Sequence, residues 1–338
     1  TYQIRVSSVG YDKKRFEVEI KSNETLRRDF VLPRGEILTE EVHVTAEKEV
    51  EKRQISISKV NIPVEQMKEI RIGGESDVFR TIQMLPGVLS SSQISSGLYI
   101  RGGSPDQNLI LLDGSTVYNP THLFGFFSSF NSEAIKDVEL IKGGYPAEYG
   151  SRMSAVLNIT QKDGNKNDYH GLFSLGTISS KLSFEGPVGN GSFFLGGRRT
   201  YFELIKLALP DQDEIPDFGF YDLNAKVTQD LSQNDRVFAS GFMSRDFLTF
   251  DQSGFDLDME LGNTSGSVRW THIYDGKLFS DVNFTASRYF NEATQDLSGF
   301  KIRLNNSIAD YSLKGSLEWF TTNNLTLKSG FSISNYKF

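Results

Sequence analysis

Residues 221–228 read Tyr-Asp-Leu-Asn-Ala-Lys-Val-Thr, in which apolar and polar side chains alternate strictly. Successive side chains of a β-strand point to opposite faces, so this segment predicts a strand with one apolar and one polar face. Residues 309–319 and 325–334 repeat the alternation. About nine such strands, each of about ten residues or more, are predicted between residues 169 and 338.

Two architectures accommodate strands of this kind, a soluble β-sandwich and an outer-membrane β-barrel. Sandwich strands usually have about 5–6 residues, which is shorter than those predicted here. A lysine facing lipid at mid-membrane would cost about 2–4 kcal/mol, so in a barrel the polar faces would look inward, to water or to another domain. Aromatic residues beside the predicted short turns fit a barrel girdle, namely Trp270, Tyr274, Trp319 and Phe320.

The connections between the predicted strands also favour the barrel, because short turns on one side and longer loops on the other are typical of outer-membrane barrels. Short connections are predicted at 188–191, 232–235, 275–276 and 321–324. Long connections are predicted near 203–219, 247–261 and 292–301, with a tight exception near 177–180.

The composition excludes several classes of protein. The net charge of −7 argues against a nucleic-acid-binding protein, and the absence of cysteine excludes a disulfide scaffold and a zinc–thiolate site. No run of about 18 apolar residues predicts a transmembrane helix. Ser56-Ile57-Ser58-Lys59 has the Ser-x-x-Lys spacing of β-lactamase-like enzymes but lacks an apolar helix around it. The four histidines are scattered, so no enzyme, metal site or cofactor is predicted.

Residues 76–165 predict a compact α+β domain. Ser76 is the expected N-cap of a short helix over 77–85, which Pro86-Gly87 closes. Residues 109–112 are entirely apolar, as in a buried strand, and Asp113-Gly114 predicts a hairpin turn after it. Further strands are predicted at 98–101, 138–141 and 155–159, and a short helix at 132–136.

The N-terminal region predicts two different segments. Residues 1–34 contain three short alternating stretches, which resemble the last strands of a carboxypeptidase-regulatory-like β-sandwich and fit any small β-domain equally well. Residues 35–75 are rich in charge and predict a linker with one extended piece at 41–46, or else a plain solvated tether. Both ends of the sequence lie inside strand patterns, so we expect it to be part of a longer chain.

The motifs in the middle of the chain, taken in order, resemble those of TonB-dependent outer-membrane receptors, and the resemblance covers nearly the whole sequence. It is carried by residues 77–80 with 85–88, 98–103, 111–114, and 138–144 with 147–150. It implies a mostly β fold, in which a transmembrane antiparallel β-barrel at 166–338 encloses an α+β plug at 76–165. Barrels of 22 strands hold a plug and open edges are not tolerated in lipid, so about nine strands would form only part of the barrel.

The resemblance also implies a function. Such a receptor binds a scarce extracellular ligand and imports it with energy from the inner-membrane proton-motive force, without chemistry. The implied partners are TonB, outer-membrane lipid and a small extracellular ligand, with a surface lipoprotein as a further candidate. The implied location is the outer membrane of a Gram-negative bacterium, with the N-terminus in the periplasm. A ferric siderophore leads by frequency in the family, while cobalamin, haem, oligosaccharide and peptide stay open. A signalling or secretion-complex component is the alternative.

Three sets of residues are carried over from the family. Strand addition to TonB is expected at Glu41, Val42, His43, Val44, Thr45 and Ala46. A plug–barrel lock of paired charges is expected at Arg101 and Lys142, with Arg152 as a substitute, unless Arg101 lies on an exposed loop. Ligand contacts are expected at Ser91, Ser92, Gln93, Tyr118, Asn119, His122 and Phe124, although 118–124 fits a packed plug loop as well.

Overall fold

The computed structural model describes residues 2–6, 14–18, 59–72, 75–90, 92, 96–122, 125–150, 152–202, 206–207, 215–252, 254–322 and 325–338. The chain divides into two compact units, residues 1–57 and 58–338. In the first unit, β1 (Tyr2–Val6) pairs antiparallel with β2 (Lys14–Val18), where the sequence predicts two strands. The third strand predicted there and the segment 41–46 lie outside the described residues, and the likeness to a carboxypeptidase-regulatory module stays a prediction.

Residues 59–161 form a mixed domain of short helices around a five-stranded sheet with the order β3-β12-β13-β8-β9. The β13–β8 pair is parallel, and the other neighbouring pairs are antiparallel. Its strands are β3 (Lys59–Ile62), β4 (Arg71–Ile72), β5 (Glu75–Ser76), β6 (Val88–Leu89), β7 (Tyr99–Ile100), β8 (Leu109–Leu112), β9 (Ser115–Thr116), β10 (Thr121–His122), β11 (Phe127–Ser128), β12 (Ile135–Ile141) and β13 (Val156–Gln161). Its helices are α1 (Val64–Glu69) and α2 (Val78–Gln83), with 3₁₀ turns at Pro105–Gln107 and Ser132–Ala134.

Strand β8 is buried on both faces, as its apolar run predicts. Ile110 and Leu112 pack into the main core, whereas Leu109 and Leu111 pack into a smaller cluster on the opposite face. The predicted hairpin turn follows it. The two turn residues, Asp113 and Gly114, have φ angles of 48° and 84°, the left-handed region that an Asp-Gly turn supplies.

The mixed domain begins earlier than residue 76, where the sequence places the end of the linker. Strand β3 pairs with β12, and Ile62 and Met67 are 2% and 0% exposed in the core. In this strand the exposed residues Lys59 and Asn61 alternate with Val60 and Ile62. Because the strand has only four residues and follows a charged segment, the sequence alone suggests a polar linker.

The first predicted helix is correctly placed, but its cap is Asp77 and not Ser76. The Oδ1 atom of Asp77 accepts hydrogen bonds from the backbone N–H groups of Phe79 (2.8 Å) and Arg80 (3.1 Å). Ser76 lies one residue earlier, in β5, where its hydroxyl contacts that of Ser132. The helix ends at Gln83, before the predicted Leu85. The second predicted helix, 132–136, is a 3₁₀ turn, because β12 already begins at Ile135.

The described residues after the mixed domain form a nine-stranded antiparallel sheet in which each strand pairs with the next one along the chain. On β17, Asn224 and Thr228 are 3% and 2% exposed on the face toward the mixed domain, while Leu223 and Val227 are 49% and 41% exposed on the outer face. The predicted fold class and alternation are confirmed, and the sheet is consistent with part of a barrel. The strands are β14 (His170–Leu175), β15 (Ser179–Val188), β16 (Gly191–Thr200), β17 (Asp217–Asp230), β18 (Asp235–Gln252), β19 (Phe255–Ile273), β20 (Leu278–Leu297), β21 (Phe300–Thr322) and β22 (Leu325–Lys337).

Two of the predicted long loops are instead strand extensions. Strands β18 and β19 stay paired as far as Gln252 and Phe255, and β20 and β21 as far as Leu297 and Phe300. The carboxylates within 247–261 suggest a loop, yet they occupy alternate positions of a regular strand. The connection between β16 and β17 does span 201–216, and the tight turn between β14 and β15 is also as predicted. None of the helices in the described ranges is long and apolar enough to cross a membrane.

Candidate functional site

The contact between the mixed domain and the nine-stranded sheet contains a buried histidine between two carboxylates. His122 lies at the end of β10 and is 0% exposed. Its Nε2 is 2.7 Å from Oδ1 of Asp222 on β17, and its Nδ1 is 2.7 Å from Oδ2 of Asp246 on β18. The ring also stacks on Phe220, with 4.0 Å between centroids. One side chain of the mixed domain thus joins two strands of the sheet.

Arg198 on β16 completes this group, which we call the His122 cluster (His122, Asp222, Asp246 and Arg198). The Nε and Nη2 atoms of Arg198 lie 2.7 and 2.6 Å from Oδ2 of Asp222. Nη2 also donates a 2.8 Å hydrogen bond to the backbone carbonyl of Ser128, on β11. The β10–β11 hairpin is therefore held at both of its strands by buried charges of the sheet.

The cluster keeps His122 protonated at neutral pH. Burial alone would lower the pKa of His122, but the carboxylates of Asp222 and Asp246 outweigh it and raise the pKa to about 9. An imidazolium donates from both ring nitrogens, which matches the two short contacts. The positive ring and Arg198 together balance the two buried carboxylates.

A second group, the Lys226 cluster, lies at the other end of β17 and consists of Lys226, Asp113, Asp163 and Gln161. The Lys226 ammonium, 2% exposed, is 3.2 Å from Oδ1 of Asp113 and 3.0 Å from Oδ1 of Asp163, and donates to the Gln161 carbonyl at 3.0 Å. Burial would raise the pKa of Asp163, but Lys226 and Lys136 lower it to about 2. This cluster joins the β8–β9 turn and the end of β13 to the sheet.

A third charged contact joins the start of the mixed domain to β15. Oε2 of Glu75 is 2.6 Å from Nζ of Lys181, and its Oε1 accepts a hydrogen bond from the Ser179 hydroxyl at 2.5 Å. Glu75 and Lys181 are 4% and 7% exposed. Apart from Asp163, whose side chain is 27% exposed, the charged groups of all three contacts are buried, so separating the two parts of the molecule requires buried charges to be rehydrated or re-paired.

The structure places three of the predicted ligand-contact residues in this same contact. Tyr118 donates to Oδ2 of Asp310 at 3.2 Å, and Asn119 exchanges backbone hydrogen bonds with the Asn263 amide. His122 belongs to the cluster described above, so all three make hydrogen bonds to the sheet. Ser92 is exposed, whereas Ser91, Gln93 and Phe124 lie outside the described residues. Their role toward a ligand stays a prediction.

The three residues that were predicted to lock the plug to the barrel do not form a common group in the structure. Lys142 donates a 2.8 Å hydrogen bond to the backbone carbonyl of Pro86, within the mixed domain. Arg101 is exposed with a φ of 49°, and Arg152 is half-buried nearby. The structure does not test the pairing of Arg101 with a barrel glutamate, which stays a prediction.

Sequence reasoning missed the pairs that make the contact. The alternation does place Asp222 and Lys226 on the inner face of β17, but it does not say which side chain of the mixed domain meets them. The partners His122 and Asp113 lie 100 and 113 positions earlier in the chain. The sequence did contain one signal of this contact. The inner face of β17 carries charged residues as well as neutral polar ones, which indicates charged partners opposite it. Among the described residues, no group of three or more His, Asp or Glu side chains is arranged to hold a metal ion.

Comparison with protein families identifies the mixed domain. Residues 51–156 match the family described as TonB-dependent Receptor Plug Domain. The mixed domain is therefore similar to the plug domains of TonB-dependent receptors. The match confirms the resemblance that the sequence motifs indicate, and it places the start of the plug before residue 76.

Relatives and solved structures extend the likeness beyond the plug. The TonB-dependent transporter Oar of Myxococcus xanthus is 27% identical over 176 residues, which are 48% of this chain and 16% of that protein. The probable TonB-dependent siderophore receptor PirA of Acinetobacter baumannii is 26% identical over 183 residues, 49% of this chain and 24% of that protein. The aligned region therefore spans less than a quarter of either relative.

The fold of plug and sheet together is that of solved receptors. The crystal structure of the siderophore receptor PirA from A. baumannii superposes with a TM-score of 0.63 at 16% identity, over 86% of this chain and 49% of that one. The outer-membrane transporter YddB from Escherichia coli gives 0.59 at 16% identity, over 82% and 48%. The chain spans about half of each receptor, in agreement with a plug followed by part of a barrel.

Proposed function

We propose that this chain is part of an outer-membrane receptor that binds a scarce extracellular ligand and imports it with energy delivered by TonB. The observation that carries the proposal is the plug domain held by buried charges against the polar face of the sheet. The names of the relatives, which include siderophore receptors, make a ferric siderophore the first candidate ligand.

The contact between plug and sheet is polar, which suits a plug that must separate from the sheet during import and pack against it again afterwards. When an apolar interface separates, each square ångström exposed costs about 25 cal/mol. Hydrogen-bonded groups that separate regain water, so each contributes a net of only about 0.5–1.5 kcal/mol, or about 1.5–3 kcal/mol where one partner is charged. A plug held largely by polar groups can therefore open when water enters and close again without misfolding its own core.

The sheet suggests how the receptor would lie in a membrane. Trp270 and Trp319, both exposed on the outer face, lie beside the short turns, where an interfacial aromatic belt is expected. At the opposite end, the outer face of β19 carries Asp256, Asp258 and Glu260, which do not suit lipid. We therefore place the short turns in the periplasm and the extended hairpins outside the cell, with the N-terminal segment periplasmic.

Energy coupling is proposed for residues 41–46, through strand addition to TonB. A few backbone hydrogen bonds of about 0.5–1.5 kcal/mol each give a weak, renewable contact. We expect deletion of 41–46 to abolish energised uptake of ferric siderophore while its binding to the receptor at the cell surface is unchanged. Deletion of 35–40, which removes the same number of residues, serves as the control.

Uptake is measured with radiolabelled iron, with and without a protonophore. Loss of uptake in the 41–46 deletion, and in the parent after protonophore treatment, supports the proposal. Unchanged uptake in the 41–46 deletion would contradict it, and accumulation that does not depend on the proton-motive force would favour a different role for the receptor.

A further inference from the structure

Along β19, the polar and the apolar side chains change faces. Beside the plug, the inward residues Asn263, Ser265 and Ser267 are polar and buried. Beyond Gly262, toward the extended hairpin, the inward residues become Leu261, Met259 and Leu257, while the outward ones become carboxylates. Water alone would not favour apolar side chains on the inner face at this end, so their placement calls for an apolar neighbour.

Leu261 and Met259, but not Leu257, line a cavity of about 550 Å³ between the sheet and the β10–β11 hairpin. The plug contributes Phe126 and Phe127, and the sheet contributes Phe218, Leu248 and Leu261 among others. Phe202 lies stacked on Phe218 with 3.9 Å between centroids, which presents flat aromatic surface to the space. The volume is in the range of pockets that hold small molecules.

The charge of the cavity restricts its occupant. Of the ten described residues that line it, Asp246 is the only charged one, and its carboxylate is hydrogen-bonded to His122. No lining residue in that set offers a cationic or amide donor to an anion. An anionic group placed here would lose its hydration and face a carboxylate, whereas an uncharged aromatic group would bury apolar surface on both sides.

We propose that this cavity recognises an uncharged aromatic group of the extracellular ligand. The inference deepens the proposed import function and rests on it for the origin of the ligand, but the binding itself requires no energy source. A ligand with an anionic metal-chelating part would present its aromatic periphery to the cavity and keep the chelate outside it.

The cavity is also joined directly to the His122 cluster. Phe127 and Asp246 line the cavity. Phe127 lies in the same hairpin as His122, and Asp246 is hydrogen-bonded to His122. A ligand resting on Phe127 therefore touches the hairpin that the cluster fastens to the sheet. Occupation of the cavity is expected to change hydrogen exchange of the amides at 121–122 and 125–128.

The test compares two nearly isosteric probes on the purified full-length protein in lipid nanodiscs, with empty nanodiscs to correct for partitioning. Indole-3-acetamide is uncharged and indole-3-acetate is its anionic match, and their dissociation constants are measured by ligand-observed NMR. The amide should bind at least about tenfold more tightly than the carboxylate. Leu261→Lys should reverse this order, whereas Leu257→Lys, on the same strand face but outside the cavity lining, should preserve it.

A second variant covers the case in which a buried lysine prevents folding. Met259→Trp fills the cavity without charging it and should weaken amide binding by at least about tenfold. Equal binding of the two probes, no binding of either, or selectivity unaffected by both variants would overturn the inference. Because these measurements need neither TonB nor a proton-motive force, their failure would leave the uptake result of the 41–46 deletion unaffected, and the reverse also holds.

Discussion

At the scale of single residues, the most consequential side chain is His122. It is fully buried, carries a positive charge at neutral pH and bridges two strands of the sheet. The sequence offers no sign of this role, because a lone histidine in the run 118–124 fits a ligand contact or a packed loop equally well. Only the three-dimensional fold brings Asp222 and Asp246 to its two ring nitrogens.

Replacing His122 by alanine should loosen the β10–β11 hairpin. The imidazolium that contacts both Asp222 and Asp246 is then missing, and removal of one member of a buried charged group costs about 3–5 kcal/mol. We expect faster hydrogen exchange of the hairpin amides and a lower melting temperature. His170→Ala is the control, because His170 is exposed on β14 and its loss should change stability by less than about 0.5 kcal/mol. Equal effects of the two changes would contradict the assignment.

The same residue predicts a pH dependence. Because the pKa of His122 rises from 6.5 to about 9 in the folded protein, its stabilising contribution is complete below about pH 6.5. The contribution decreases as the pH rises from 6.5 toward 9 and is absent above that. Hairpin protection, corrected for intrinsic exchange rates, should therefore fall over this range in the parent protein. In His122→Ala the fall should be absent, and a parental profile that stays flat between pH 6.5 and 9 would argue against a charged His122.

At the scale of elements, the Asp113–Gly114 turn shows how local geometry and long-range packing agree. Gly114 has a φ of 84°, and a Cβ added to it would lie 2.6 Å from Nδ2 of Asn283 on β20. The left-handed conformation alone costs a non-glycine residue about 1–2 kcal/mol. Gly114→Ala should therefore lower the melting temperature of the protein.

Gly276→Ala provides the comparison for that variant. Gly276 also lies in a tight turn, but a Cβ there meets nothing within 4 Å and its φ is not in the left-handed region. We expect this change to leave the melting temperature within about one degree of the parent, consistent with a surface effect below about 0.5 kcal/mol. Equal melting temperatures for the two variants would show that the β8–β9 turn does not press against the sheet as described.

The elements also show what a sequence can and cannot specify. The run Leu109–Leu112 predicts a strand buried on both faces, since four apolar residues before an Asp-Gly turn leave few alternatives. The helix cap was wrong by one residue, because Ser76 and Asp77 are both good caps and only the backbone hydrogen bonds distinguish them. Strand extensions at 247–261 were missed because carboxylates on the outer face resemble a loop when the inner face is not known.

At the scale of the whole molecule, the alternation of the C-terminal half predicts the architecture because it is a property of every strand. A polar inner face requires a polar neighbour, and the plug supplies one through His122, Asp113 and Glu75. Which plug residue meets which strand depends on contacts 100 or more positions apart, so pattern reasoning predicts the face but not the pairs. The plug itself is recognisable because its motifs follow one another in a fixed order.

The orientation of β17 relative to lipid and plug can be measured directly. The sequence contains no cysteine, so single cysteines at Leu223, Asn224, Val227 and Thr228 can each carry a spin label in the membrane-embedded protein. We predict high collision rates with oxygen, which concentrates in lipid, at 223 and 227, and low rates with both oxygen and a water-soluble relaxation agent at 224 and 228. Equal rates at all four positions, or preferential contact of 223 and 227 with the water-soluble agent, would contradict a sheet that faces lipid on one side and the plug on the other.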